Sequence, residues 1–169
     1  MIIDLANAGT TSRPLAADIE GETIDLADEG KVIGTAHFEG EMFRGANKTH
    51  LRGNITADVE VNCTRCLAEI ARPIDVSFED VFVDVAEAPK AKDLELEDAD
   101  LDVEIVVENE IDLTDVVREQ ILLDLPDQVL CKEDCKGLCP QCGADRNLID
   151  CSCEEDDIDP RWAALKKLN

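Results

Sequence analysis

The chain has 169 residues, enough for one domain with a real core or for one domain carrying a small appendage. Apolar residues make up 44% of it, which excludes a wholly disordered chain, while 40 acidic against 16 basic residues leave a net charge of −24. That charge argues against a general nucleic-acid coat, whose affinity comes from neutralising phosphates, though not against a local basic patch. The acid is concentrated: ten acidic residues and no Lys or Arg lie between Asp93 and Asp112, and Glu154, Glu155, Asp156, Asp157 and Asp159 form a second cluster. Such runs suit solvated loops, or else a surface that mimics nucleic acid or binds basic proteins. The N-terminus has no basic start, and no stretch reaches the length of a membrane span, so the expectation is a soluble cytoplasmic protein.

In chain order, residues 2–5 read as a short strand, and residues 6–18, with Ser12 and Pro14, as a loop. Residues 19–26 carry Ile19, Ile24 and Leu26 with acids between. Val32, Gly34, Ala36 and Phe38 alternate as in a half-buried strand, and Gly40 and residues 45–47 signal turns. The clearest strand is 48–62. Leu51, Ile55, Ala57, Val59 and Val61 point one way, while Lys48, His50, Arg52, Asn54, Thr56, Asp58 and Glu60 point the other. A further strand spans about 68–85, with a parity slip between Phe78 and Val81 that predicts a β-bulge or a change of sheet. Residues 86–101 read as an acidic loop, and Val103, Ile105 and Val107 as one more strand. The period then changes: Leu113, Val116, Val117 and Ile121 predict a helix over 112–125, with Asp112 capping it and Pro126 ending it. Asp159 and Pro160 open a last short helix that must dock through Trp162.

Eight cysteines carry the chemistry. Cys63 and Cys66 form a C-x-x-C pair in a turn between two strands, and Cys131, Cys135, Cys139, Cys142, Cys151 and Cys153 crowd one later stretch. Thiols this dense, in a chain without a secretion signal, read as metal ligands before disulfides, buried free thiols or an iron–sulfur cluster. Zinc suits them best, being soft enough for thiolate and tetrahedral. The expected partition is two closed all-cysteine sites holding two zinc ions. Site A takes Cys63, Cys66, Cys131 and Cys135; site B takes Cys139, Cys142, Cys151 and Cys153. Site A would join two distant parts of the chain.

Catalytic signals are missing. His37 and His50 sit in no motif, and no nucleophile elbow, P-loop or dinucleotide fingerprint is present. All-cysteine ligation suits a structural metal rather than a catalytic one. Basic residues gather at Arg44, Lys48, His50, Arg52, Arg65 and Arg72, a candidate RNA-binding patch. The competing reading is that they balance nearby acids and the surplus charge of metal-bound thiolates.

In order, C-T-R-C-L from Cys63, E-I-D-L from Glu110, R-E-Q-I-L-L-D-L-P from Arg118, C-K-E-D-C-K-G-L-C-P-Q-C-G from Cys131, C-S-C from Cys151 and the closing D-P-R-W-A-A-L-K-K-L resemble the YceD family. These are bacterial and plastid proteins required for accumulation of large-subunit ribosomal RNA. The match runs from about Cys63 to the C-terminus. Cys63, Arg65 and Cys66 match the family's C-x-R-C, and Cys131 and Cys135 its following C-x3-C. The other four cysteines match a second set that many members lack, and the G-A-D-R-N run after Cys142 departs from the usual pattern. The resemblance implies a ribosome-biogenesis role with no catalytic residues to transfer.

Together these readings predict an α+β fold, mainly antiparallel β in a small sheet or barrel, with a covering helix. Residues 1–130 form the β-rich domain and 131–169 a zinc-binding cysteine module. The expected function is that of a non-enzymatic factor for 23S rRNA accumulation and 50S assembly. Its partner would be precursor rRNA or a basic large-subunit ribosomal protein, with no membrane and no small-molecule substrate. The alternative is a zinc-thiolate redox switch whose partner binding changes on oxidation.

Overall fold

The computed structural model describes residues 1–45, 48–86, 103–153 and 161. The expected acidic loop beyond Ala86, the second acidic cluster and the expected C-terminal helix with Trp162 lie outside the described residues.

Seven strands and one α-helix are described: β1 (Ile2–Asp4), β2 (Arg13–Glu20), β3 (Lys31–Gly45), β4 (Lys48–Asn62), β5 (Glu69–Asp84), β6 (Val103–Val106), β7 (Glu110–Asp112) and α1 (Leu113–Asp124). β2 to β6 form an open five-stranded sheet in chain order, and β1 pairs with β7 in a separate ribbon. All pairings are antiparallel except β5 with β6, which is parallel. The fold is thus mainly antiparallel β with one helix.

The alternation in β4 sets the layers. Leu51, Ile55, Val59 and Val61 face inward beside Phe38 and Met42 of β3 and are almost wholly buried. α1 covers this face through Leu113, Val116, Val117 and Ile121, closing the main apolar core, while Cys63, Cys66 and Cys135 form a second, smaller buried cluster. Asp112 caps the helix by accepting from the Thr114 N–H at 2.9 Å. A pair of facing glycines, Gly40 and Gly53, leaves room for the Phe38 ring: a Cβ on Gly53 would stand 2.5 Å from Phe38 Cε2.

Two local expectations are corrected. Residues 6–18 are not all loop, because Arg13–Glu20 is a strand paired with Thr35–Met42. It is an edge strand with only Ile19 buried, so its apolar alternation is faint, and an edge tolerates Pro14. Nor is there a bulge between Phe78 and Val81. The β4–β5 register runs unbroken from Asn62↔Glu69 to Thr49↔Phe82. Asp80 occupies an inward position there and lies 3.3 Å from the Gln120 amide of α1, while Val81 and Val83 face the other side beside Val103 and Ile105. The apparent slip is a polar residue on the inner face. The register shifts instead in β3, between Ile33 and His37, where Gly34 takes a φ of +72°. No helix among the described residues is long and apolar enough to cross a membrane.

Candidate metal centre

β4 and β5 meet at the first pair of cysteines. Cys63 N–H donates to Ala68 O at 2.8 Å and Leu67 N–H to Cys63 O at 2.9 Å, making a tight turn that holds both sulfurs on one side. Leu67 takes a φ of 60°, a left-handed conformation costly for a side chain. The chain leaving α1 then runs alongside: Thr64 N–H donates to Val129 O at 2.8 Å, and Cys131 N–H to Cys63 Sγ at 3.4 Å. Arg65 stitches the same junction. Its guanidinium donates to Cys135 O at 2.9 Å, and its carbonyl accepts from Leu138 N–H at 3.0 Å.

The second turn repeats the first. Gly143 N–H donates to Cys139 O at 2.8 Å, and Cys139 N–H to Ala144 O at 2.8 Å. Gly143 has a φ of 72°, so the position held by strained Leu67 in the first turn is held by glycine in the second.

The eight sulfurs gather into two sets, Cys63, Cys66, Cys131, Cys135 and Cys139, Cys142, Cys151, Cys153, with each set's Sγ atoms within 4.8 Å of one another. All eight are free thiols. In site A, Cys63 and Cys135 are 3.8 Å apart and Cys66 and Cys131 3.6 Å. The edge of a tetrahedron with metal–sulfur bonds of about 2.3 Å is about 3.8 Å, so these two pairs match the edges of a four-thiolate site. Thiols this close cannot all ionise without a cation. Backbone N–H groups, first that of Cys66, hold Cys63 down to about 6. Cys131 is pushed up to about 12, first by removal of its sulfur from water and then by its neighbours' sulfurs. As a residue Cys131 is nonetheless exposed, unlike Cys63, Cys66 and Cys135. Site B shows the same division: the Cys142 N–H leads in holding Cys139 down to about 6, and the Cys142 sulfur leads in raising Cys153 to about 12. Each four-cysteine cluster could therefore hold one metal ion. Site A draws two cysteines from either side of the expected boundary at residue 130.

The six basic residues do not form one patch. His50 and Arg52 share the outer face of the sheet with Phe43: the Phe43 and His50 rings stack at 4.8 Å, and the Arg52 guanidinium lies 5.6 Å from the Phe43 centroid. Lys48 lies on the same face of β4, and Arg44 pairs across from Thr49 at the end of β3. Carboxylates hold two of these side chains, with Glu41 paired to Arg52 and Glu79 to His50. Arg65 belongs to site A. Arg72 lies opposite Val59, on the inward face, with its Nε buried and unbonded.

Two contributors were not visible in the sequence reading. Phe43 meets His50 only through the β3–β4 register. Asn147, between the two halves of site B, donates to Cys135 Sγ of site A at 3.4 Å. No local pattern marks it.

The family model described as "Large ribosomal RNA subunit accumulation protein YceD" matches residues 51–169. The protein named "Uncharacterized protein YlbN" of Bacillus subtilis (strain 168) is 36% identical over 154 residues, covering 87% of this chain and 85% of that one. A Mycobacterium tuberculosis (strain ATCC 25618 / H37Rv) protein is 33% identical over 116 residues, which is 69% of this chain; the match spans 53% of that relative. In Arabidopsis thaliana, "Large ribosomal RNA subunit accumulation protein YCED homolog 1, chloroplastic" is 32% identical over 59 residues, 35% of this chain and 18% of the relative. No solved structure matches the chain. With the family model covering most of the sequence, both four-cysteine clusters included, this chain belongs to the YceD family of large ribosomal RNA subunit accumulation proteins.

Proposed function

We propose that this protein is a non-enzymatic factor for large-subunit ribosome biogenesis, needed for accumulation of 23S rRNA, that binds the precursor RNA. One observation carries the RNA contact: the Phe43–His50 stack with Arg52 against it, on a sheet face that α1 leaves uncovered. Aromatic rings and guanidinium planes on an open sheet are a sequence-tolerant platform for unpaired bases. Glu41 and Glu79 hold the Arg52 and His50 side chains in place, and Glu41 offsets the Arg52 charge, which suits a contact that must be released. Both clusters hold zinc in this reading, with Cys63, Cys66, Cys131 and Cys135 closing one site and Cys139, Cys142, Cys151 and Cys153 the other. Zinc supplies a rigid tetrahedral cross-link, and the cysteine module becomes an arm of the β-rich part. Free thiols in this number suit the reducing cytoplasm.

A second reading is favoured by the rest of the outer face, where Glu39, Asp58 and Asp75 accompany Glu41 and Glu79. That face would hold a basic ribosomal protein by charge complementarity. Crosslinking in cells separates the two. Crosslinks from the β3–β4 outer face to large-subunit precursor RNA, reduced by Phe43→Ala and Arg52→Ala, are the expected result. Crosslinks to a basic ribosomal protein without RNA would replace the first reading with the second. If neither is found, and peroxide releases zinc through exposed Cys131, Cys142 and Cys153, the redox switch takes their place.

A further inference from the structure

The two cysteine clusters are not independent in space. The chain between Cys142 and Cys151 returns to the segment that follows Cys135. Leu138 and Asp145 form a β-bridge, and Arg146 N–H donates to Gly137 O at 2.9 Å. Gly137 itself, at a φ of +71°, packs against the Arg65 carbonyl of the first turn. The centre of this contact is Asn147. Its amide donates to Cys135 Sγ at 3.4 Å, and its carbonyl oxygen accepts from Lys136 N–H at 2.9 Å. Asp145 holds the side chain in that orientation, accepting from the Asn147 amide at 2.7 Å and from its backbone N–H at 2.8 Å. Asn147 is thus sequence-bound to site B and hydrogen-bonded to a ligand of site A.

We propose that Asn147 is a positioning residue that couples the two metal sites, so that filling site B tightens the hold of site A on its ion. This rests on the reading of both clusters as zinc sites. Closing site B pins both ends of the 143–150 loop and removes chain entropy that would otherwise oppose the placement of Asn147. The placed amide disperses thiolate charge at Cys135 and fixes the direction of that sulfur, as outer groups around metal ligands do. Coupling of this kind is reciprocal, so filling site A favours site B by the same factor. The predicted sequence of events under chelation is loss of the more exposed site B first, followed by a weakened site A.

The test measures zinc affinity by competition with a chromophoric chelator on the full chain. It uses wild type, Asn147→Ala, the site B double variant Cys142→Ser with Cys151→Ser, and the three substitutions combined. Asn147→Ala should lower site A affinity about tenfold. Removing site B should lower it similarly, and Asn147→Ala should then have little further effect. In the cadmium-loaded protein, the NMR resonance of site A should move in Asn147→Ala, a change that a purely structural loop residue would not produce. Two zinc ions per chain with an unchanged site A affinity and resonance in Asn147→Ala would overturn the coupling alone. An equal loss with and without site B would also overturn it. Wild-type protein that binds no zinc would overturn the metal reading and the coupling together.

Discussion

Destroying site A should cost more stability than destroying site B, and the difference follows from chain length. In the folded protein, the four sulfurs of each set are already assembled. An unfolded chain must close a loop before it can offer the same ligands, and that closure weakens its hold on the ion. Cys66 and Cys131 are 65 residues apart, so closure costs about 4 kcal/mol on the polymer estimate used for cross-links. For site B, Cys142 and Cys151 are nine positions apart, and the same estimate gives about 2.5 kcal/mol. At saturating zinc these figures are the folded state's advantage in binding, and hence the stabilisation each ion provides. Cys63→Ser should therefore remove about 4 kcal/mol, and a chain of this size loses roughly 2–4 °C of melting temperature per kcal/mol. Cys142→Ser should lower the melt less, and its effect should concentrate in the cysteine module. The assay is thermal unfolding followed by far-ultraviolet circular dichroism in zinc buffer, repeated with a strong chelator. Chelation should add little to Cys63→Ser beyond the share of site B. A Cys63→Ser melt unchanged, or reduced less than that of Cys142→Ser, would refute the idea that site A is the long-range tie.

Three further outcomes are expected. Leu67→Gly should stabilise the protein by about 0.5–1 kcal/mol, because it relieves a left-handed leucine that is 62% exposed; a lower urea midpoint would show that Leu67 packs against something needed. Gly53→Ala should destabilise by about 3 kcal/mol, since its Cβ would also stand 2.8 Å from the Glu39 carbonyl, and Phe38→Leu should recover only part of the loss; a neutral Gly53→Ala in urea unfolding would mean that the two strands can part at no cost. Burial raises the pKa of Asp80 and of Glu104, with Glu119 adding to both. Raised carboxyl values contribute stability below the unfolded pKa that is lost as pH rises through the folded one, so Asp80→Asn should stabilise by well under ~1 kcal/mol at pH 7, with the gain vanishing near pH 4. An Asp80→Asn melt that tracks wild type across that range would contradict this.

Much of the centre could be read from order and spacing alone. Cys63, Cys66, Cys131 and Cys135 lie far apart in sequence, yet both pairs are short-range units, and short-range geometry is written locally. The β4 alternation was equally legible, because one face is core and the other is water. The edge strand β2 was not, since an edge that buries only Ile19 leaves almost no periodic trace. Asp80 misled for the opposite reason: a polar residue at an inward position breaks the pattern without breaking the strand.

By itself the sequence determined the elements that depend on neighbours along the chain: the cysteine turns, the capped helix, the alternation of β4 and the excess of acid. The tertiary structure alone decided what depends on register and on chain return. It stacked Phe43 on His50, set Arg72 on the inner face away from Lys48 and Arg52, and brought Asn147 to Cys135. Such contacts arise where two segments are held at a fixed offset by everything else that packs between them. A single residue change in register would reverse them, and no local pattern encodes that offset.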